Sequence, residues 1–127
     1  MKKGILLFVG ALGVVLNVSW VFAQHPQGDS QRGQAIYQQH CLRCHGFNGN
    51  GEGPDAPFLI VPPTNFFSEQ SRVKADLELL MVIAHGSIFS PMHGWRGQLT
   101  DQEMWDVLRY IRQLVPFKAI AKTEIRR

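Results

Sequence analysis

This chain of 127 residues has only two cysteines and a small net charge. Its length allows a single domain. Its 13 lysines and arginines nearly offset its 10 acidic residues, so the composition does not predict a nucleic-acid or acidic partner. With only two cysteines, a structural zinc site would have to recruit His85 and His93, whose spacing is wider than that of a zinc-finger pair. A thioredoxin-like redox pair is disfavoured because no strand-like run precedes the cysteines.

The N-terminal stretch has the organisation of a secretory signal peptide. Positive charge in residues 1–3 is followed by an apolar run over residues 5–21, and Val21 and Ala23 supply the small residues of a cleavage site. A periplasmic location is therefore expected. The alternative is a retained helix that anchors the protein to the outer face of the inner membrane. The predicted organisation is a signal peptide over residues 1–23, a domain over residues 24–118 and a tail over residues 119–127.

Both cysteines belong to the sequence Cys41-Leu42-Arg43-Cys44-His45. On a helix, Cys41, Cys44 and His45 would lie at i, i+3 and i+4, on one face of a single turn. Two thiols placed there can form thioethers with the vinyl groups of a haem, and the imidazole then points at its iron as the proximal ligand. A structural disulfide would leave His45 without a role. The pattern therefore predicts one covalently attached haem c.

A loop rich in glycine and proline follows over residues 46–71. Loops this long in a compact domain are usually functional, and wrapping a cofactor is such a function. The Nδ1–H group of His45 needs a backbone acceptor, for which we predict the carbonyl of Pro57, with Pro54 and Pro63 as alternates. The apolar side chains expected to seal one side of the haem are Phe58, Leu59, Ile60, Val61, Phe66 and Phe67.

Two amphipathic helices are predicted at the ends of the domain. The first begins at Asp29 or Ser30 as its cap and places Gly33 and Tyr37 on one face. The last begins at a capping box and ends before Pro116. The box is formed by Thr100 and Glu103, and the predicted apolar face comprises Met104, Val107, Leu108, Ile111 and Leu114.

A further amphipathic helix is predicted over residues 74–85, with Gly86 as its C-cap. Three-four spacing marks a stripe of apolar residues that should be buried. Met81 on this stripe is expected to serve packing, because a methionine at helical spacing is more often core than ligand. The predicted stripe is Leu77, Leu80, Met81 and Ala84.

Residues 87–95 form a loop that contains Met92 and His93. A loop can project a side chain towards a haem more readily than a regular helix can, so Met92 is the predicted distal iron ligand. His93 is the alternative, because imidazole also binds iron well and lies one residue away. Trp95 is expected to pack against the haem edge or to donate its indole N–H to a propionate.

Across nearly all of the region after residue 23, the chain resembles the class I cytochrome c family, in particular small bacterial monohaem cytochromes and the haem-c domains of cbb3-type oxidases. The resemblance rests on the attachment motif and on Gly33, Tyr37, Pro57, Leu59, Met92, Val107, Tyr110 and Ile111. It implies an all-α cytochrome c fold of three to four helices around one covalently bound haem, with crossed first and last helices and long Gly/Pro-rich loops. Two features depart from the family pattern: His93 follows Met92 where proline is common, and His40 precedes the motif.

For function, the resemblance implies one-electron transfer with His45 and Met92 as the axial iron ligands. An iron with both axial positions filled by protein has no place for a substrate, so a carrier is expected and not an enzyme. The expected protein is a monomer that meets redox proteins in transient contacts, with no nucleic-acid partner. Membrane contact would come only through a retained N-terminal segment. The alternatives are a haem-c subunit anchored in a respiratory or dehydrogenase complex, and a haem sensor of small ligands.

Cleavage is expected after Ala23, because small residues stand at the two positions that a signal peptidase reads. The exported protein should therefore begin at Gln24, and mass spectrometry of its N-terminus measures this directly. A mature chain that still carries residues 4–23 would contradict cleavage and indicate the anchor instead.

Overall fold

A computed structural model describes residues 28–119, so the predicted signal peptide, residues 24–27 and residues 120–127 of the predicted tail lie outside the described part. Between residues 28 and 119 there is no β-strand, only isolated bridges that join Gly86 to His93 and Arg96 to Leu99. The predicted all-α fold is confirmed. In the same range, no helix has both the length and the apolar character needed to cross a membrane. The elements are α1 (Ser30–His40), α2 (Leu42–His45), a 3-10 helix (Ala56–Phe58), α3 (Glu69–Arg72), α4 (Asp76–His85) and α5 (Asp101–Leu114).

α1 is capped at its N-terminus by Asp29, one of the two predicted caps. The Asp29 carboxylate accepts hydrogen bonds from the backbone N–H groups of Gln31 and Arg32, at 2.8 and 3.2 Å. This cap satisfies N–H groups that have no partner within the first helical turn. At the other end, the N–H of Cys41 still donates to the Tyr37 carbonyl, so α1 leads directly into the cysteine motif.

α1 and α5 cross in close contact at a glycine. Gly33 is buried against the backbone of α5, where a Cβ atom would overlap the carbonyl of Asp106. Glycine is needed here because any side chain would push the two helices apart. One turn further along α1, the fully buried Tyr37 packs against Tyr110, with ring centroids 5.3 Å apart. The predicted shared face of Gly33 and Tyr37, and the crossing of the first and last helices, are confirmed.

A buried carboxylate ties the two helices together beside this crossing. The Asp106 side chain is only 2% exposed and accepts hydrogen bonds from the Asp29 N–H at 2.7 Å and from Arg32 Nε at 2.9 Å. The Gln102 amide donates a further bond at 2.9 Å. Burial acts to raise the pKa of Asp106, but these donors and the Arg32 charge outweigh it and hold the pKa below its ordinary value.

α5 supplies most of the core. It begins with the predicted capping box, in which Glu103 N–H donates to Thr100 Oγ1 at 3.2 Å and Thr100 N–H donates to Glu103 Oε2 at 2.7 Å. The helix ends at Leu114, two residues before Pro116, as predicted. Leu114 is half-buried, and the other four residues of the predicted apolar face are buried: Met104, Val107, Leu108 and Ile111.

α4 differs from its prediction in where it begins and in which face it buries. It begins at Asp76 and not at residue 74, and the Lys74 carbonyl before it accepts a hydrogen bond from Arg112 of α5. The predicted stripe included Leu77 and Met81, yet these side chains are 63% and 51% exposed. The buried residues are Ile83 and Ala84, with Leu79 and Leu80 half-buried. Apolar residues occur all around this helix, so spacing alone did not identify the face that meets α5.

Replacing Asp106 with asparagine should lower the free energy of unfolding at neutral pH by about 2 kcal/mol, because charged hydrogen bonds between α1 and α5 are lost. Since the folded pKa lies below the unfolded one, the carboxylate stabilises the fold above about pH 4, and this contribution disappears as the pH falls through the folded pKa. Urea unfolding of both proteins from about pH 7 to about pH 2 measures the difference.

The matched control is Asp101→Asn, whose side chain is 81% exposed and lies 3.8 Å from Arg96 in a loose ion pair. It should change stability little at any pH. A difference between wild type and Asp106→Asn that stays constant across the acid range would contradict the assignment of a lowered pKa.

Candidate haem site

The cysteine motif forms a single tight turn. Cys41 ends α1, and the N–H groups of Cys44 and His45 both donate to its carbonyl, at 3.2 and 2.9 Å. This hydrogen bonding gives the three residues the i, i+3 and i+4 relation that was predicted, so they share one face. Both thiols are half-buried and are not joined in a disulfide. Burial raises the pKa of the Cys41 thiol to about 12, with a further contribution from Cys44, so Cys41 stays protonated at neutral pH.

His45 is held by the loop that follows it. Its ring stacks on Phe66 with centroids 4.7 Å apart, and its Nδ1 lies 3.4 Å from the Thr64 carbonyl. Burial lowers the pKa of His45, and the Thr64 carbonyl only partly offsets this effect. The imidazole is therefore neutral at physiological pH, which is the form that binds a metal ion.

The carbonyl within reach of His45 Nδ1 is thus that of Thr64, where Pro57 was predicted with Pro54 and Pro63 as alternates. Pro57 lies in the 3-10 helix Ala56–Phe58 and is exposed. Thr64 and Phe66, which follow the Pro62-Pro63 pair, are the residues that contact the His45 ring. Sequence reasoning missed Thr64 because a backbone acceptor needs no particular side chain.

The glycine-rich loop folds back onto the attachment turn. The N–H groups of Gly51, Gly53 and Asp55 donate to the carbonyls of His45, Cys44 and Arg43, at 2.9, 3.1 and 2.8 Å. At Gly53 a Cβ atom would overlap the Arg43 carbonyl, so glycine permits the close approach. The Arg43 guanidinium adds two hydrogen bonds of 2.7 Å to the Asp55 carboxylate. The carbonyls at the end of the turn are therefore satisfied by the loop that borders it.

A buried tyrosine supports the same turn from the core. The Tyr37 hydroxyl donates a 2.7 Å hydrogen bond to the carbonyl of Gly46, the residue after His45. Desolvation in the core raises the pKa of Tyr37, so the hydroxyl remains a donor. The side chain that packs at the α1–α5 crossing therefore also fixes the end of the attachment turn.

The loop between α4 and α5 is closed on itself around Met92. The Ser87 N–H donates to the Met92 carbonyl at 2.9 Å, and the Met92 N–H donates to Ser90 Oγ at 3.2 Å. Met92 is half-buried, whereas His93 is exposed and its Nδ1 lies 3.1 Å from the Gly94 carbonyl. Met92 and His93 are therefore adjacent in sequence but differ in burial.

Trp95 connects this loop to the attachment region. Its ring contacts the His93 ring at 4.4 Å and the His40 ring at 4.9 Å, measured between centroids. The two histidines that depart from the family pattern thus meet at one tryptophan. Their sequence positions, 53 residues apart, gave no signal of this contact.

Large apolar side chains are unusually exposed around this region. Two loops that contact the attachment segment, residues 46–67 and 86–95, carry Phe47, Phe58, Ile60, Val61, Phe67, Ile88 and Phe89, all of them exposed. An apolar porphyrin plate attached at Cys41 and Cys44 would cover part of such surface. Two free thiols and a neutral imidazole on one turn, bordered by apolar loops, fit a covalently held haem.

Comparison with known proteins identifies the family. The sequence model of the cytochrome c family, described as "Cytochrome c", matches residues 30–115, which span the whole arrangement described above. The chain belongs to the cytochrome c family. It is an electron-transfer module that binds covalently attached haem c, and the resemblance noted from the sequence is confirmed.

Three curated relatives have redox names. The chain is 32% identical over 107 residues to dihydro-heme d1 dehydrogenase of Pseudomonas aeruginosa, covering 84% of this chain and 18% of that protein. It is 32% identical to thiosulfate dehydrogenase of Allochromatium vinosum, over 65% of this chain and 30% of the other. It is 28% identical to the cytochrome c subunit of the quinone alcohol dehydrogenase of Gluconobacter oxydans, over 68% and 19%. The chain spans less than a third of each relative.

A solved structure shares the fold. It is a chain of the reducing HAO-like protein complex of Kuenenia stuttgartiensis, with a TM-score of 0.61 and 26% sequence identity. The match covers 67% of this chain and 43% of that one.

Removing the Tyr37 hydroxyl should destabilise the protein, because the buried Gly46 carbonyl would lose its 2.7 Å bond and keep only the 3.3 Å bond from the Gly49 N–H. Tyr37→Phe is expected to lower the free energy of unfolding by about 1–2 kcal/mol. Tyr110→Phe is the matched control, since it changes a neighbouring core tyrosine whose hydroxyl does not bond to the turn. Equal losses in the two variants, measured by chemical unfolding, would show that the bond to Gly46 has no special role.

Proposed function

We propose that this protein is a periplasmic one-electron carrier, and not an enzyme, in which Cys41 and Cys44 hold the haem and His45 binds its iron. The observation that carries the proposal is the attachment turn, whose hydrogen bonds place these three side chains on one face. The N-terminal segment supports the location, since it has the charge and apolar pattern of an export signal.

Met92 is assigned as the distal ligand in this proposal. The His93 ring lies against Trp95 and is exposed, so it would have to leave that contact to approach a haem. Met92 is half-buried in the same closed loop. Thr64, in place of Pro57, is the proposed acceptor for His45 Nδ1, and Trp95 is proposed to border the haem while holding the ligand loop against His40.

Haem c supplies an iron that changes by one electron between ferric and ferrous states. The chain's task is to keep the surroundings of that iron constant. The contacts of His45 with Thr64 and Phe66 fix the orientation of its imidazole, and the loop hydrogen bonds fix the turn. The neutral thioether of Met92 favours the ferrous state, and apolar surroundings disfavour the extra ferric charge. Small rearrangement between the two states suits a carrier.

A second candidate is a haem-c subunit that works within a dehydrogenase complex. The relatives favour it, because two are named dehydrogenases, the third is named a subunit of one, and all three are longer than the matched region. Retention of the N-terminal segment as an anchor would agree with this role. A mature protein that begins at Gln24 and purifies alone would favour the free carrier.

The test is an absorption spectrum and a redox titration of protein made together with haem-attachment machinery. We expect haem that survives denaturation on the chain, and a reversible one-electron transition. Cys41→Ser with Cys44→Ser should abolish covalent attachment. A folded, exported and colourless wild-type protein would overturn the proposal.

Met92→Leu tests the distal ligand. The variant should lose the weak far-red band of methionine-ligated ferric haem, bind carbon monoxide rapidly when reduced, and have a reduction potential lower by on the order of 100 mV. His93→Gln is the matched control in the same loop and should leave all three properties unchanged. If the wild type lacks that band, and His93→Gln opens the reduced iron to carbon monoxide while Met92→Leu does not, His93 is the ligand. Rapid carbon monoxide binding by the wild type would favour a sensor.

A further inference from the structure

α4 carries apolar side chains on the face that is turned away from α5. Leu77, Met81 and Val82 are 63%, 51% and 36% exposed, whereas Ile83 and Ala84, on the other side of the helix, are buried in the core. Among the helices that the structure describes, α4 packs only against α5. An exposed apolar helix face indicates contact with a further segment of protein.

This face forms a shallow groove with a volume of 660 Å³, which we call the α4 groove. The residues that line it are Lys74, Ala75, Leu77, Glu78, Met81 and Val82. Two of these side chains are charged, and the groove lies on the side of α4 opposite the core. It is therefore distinct from the apolar surface around the attachment turn.

The chain returns to the α4 groove after α5. The Lys118 N–H donates to the Arg72 carbonyl at 2.9 Å, and the Lys118 ammonium group lies 2.7 Å from the Glu69 carboxylate. Arg72 stands two residues before Lys74, at which the groove begins. The structure describes the chain as far as residue 119, so the described part ends beside the groove.

Arg112 of α5 fixes this approach. Its side chain is only 10% exposed, and its Nε donates to the Asp76 carboxylate at 2.7 Å. The same guanidinium also donates to the Lys74 carbonyl and lies 5.4 Å from the centroid of the Phe117 ring. One buried side chain thus holds both the beginning of α4 and the segment that follows α5.

Residues 120–127 have the composition and the length to cover the α4 groove. Their apolar residues are Ile120, Ala121 and Ile125, and their charged residues are Lys122, Glu124, Arg126 and Arg127. The excess of positive charge is opposite in sign to the carboxylates of Asp76 and Glu78. Extended, these residues reach about 26 Å, more than the length of about 12 Å over which a helix rises from residue 74 to residue 82.

We propose that residues 120–127 fold back along α4 and occupy the α4 groove. The isoleucines then cover Leu77 and Met81, and the basic side chains lie beside Glu78. The occupant is part of the same chain, so its local concentration is high and modest contacts suffice to hold it. This docking does not depend on the electron-carrier function proposed above.

Docking on α4 has a consequence for the loop of Met92. The N–H groups of Trp95 and Arg96 donate to the carbonyls of Ile83 and Ala84, at 2.9 and 3.1 Å. The last turn of α4 therefore holds the end of that loop, and a segment that stabilises α4 also stabilises the loop. This consequence, unlike the docking, rests on the proposed ligation of iron by Met92.

The test compares one substitution in two lengths of the holoprotein, the full chain and a chain truncated after Ala119. Leu77→Gln should lower the Tm of the full chain by about 5 °C, because a covered leucine is lost, and that of the truncated chain by less than about 1 °C. Ala35→Gln, on the exposed face of α1, is the matched control and should have the same small effect in both. If truncation prevents folding, Ile120→Gln with Ile125→Gln provides the comparison at unchanged length.

Oxidation of Met81 reports the covering directly. Its conversion to sulfoxide by chloramine-T, measured by peptide mass spectrometry, should be about fivefold faster in the truncated holoprotein. Equal effects of Leu77→Gln in the two lengths, or equal oxidation rates, would overturn the docking proposal. A dimer in light scattering that Leu77→Gln dissociates would assign the groove to a second copy of this chain instead. Flotation with phosphatidylglycerol vesicles that requires residues 120–127 would assign those residues to anionic lipid.

Carbon monoxide binding separates the docking from its consequence. The reduced truncated holoprotein should bind carbon monoxide about threefold faster than the full chain, because local opening of the Met92 loop becomes more frequent. Equal rates would overturn the effect on the loop. If the full chain already binds carbon monoxide rapidly, the proposed Met92 ligation has failed, and the Tm comparison still decides the docking.

Discussion

The close crossing of α1 and α5 at Gly33 is the constraint from which the position of the site follows. A side chain there would overlap the carbonyl of Asp106, and the buried Asp106 carboxylate fixes the two helices through Asp29 and Arg32. α1 continues without a break into the attachment turn, about 12 Å beyond the crossing. The direction in which Cys41, Cys44 and His45 face is thus set by packing in the core.

The glycine-rich loop and the Met92 loop are both positioned by contacts with the attachment turn and α1. Carbonyls at the end of the attachment segment accept hydrogen bonds from the glycine-rich loop, and Tyr37 satisfies the next carbonyl from inside the core. The loop of Met92 is tied to α1 by the contact of Trp95 with His40. A rigid pair of helices therefore orients two irregular segments, which is the usual division between scaffold and functional loops.

The apolar side chains of these two loops lie in two kinds of position. Phe66 packs on His45 and stabilises the site from inside, while Phe58, Ile60, Ile88 and Phe89 leave apolar surface beside the attachment turn. Exposed apolar surface in a small protein disfavours solubility and is usually related to binding.

The sequence by itself determined the helices, the attachment motif and the crossing residues, because each rests on local chemistry: a cap at Asp29, a capping box at Thr100, and a glycine and tyrosine one turn apart. It did not determine which face of α4 is buried, since apolar residues surround that helix and only contact with α5 selects Ile83 and Ala84. Nor did it identify Thr64 beside His45, or His40 and His93 beside Trp95. Those contacts join residues distant in sequence through backbone atoms and ring faces, and only the tertiary structure decides them.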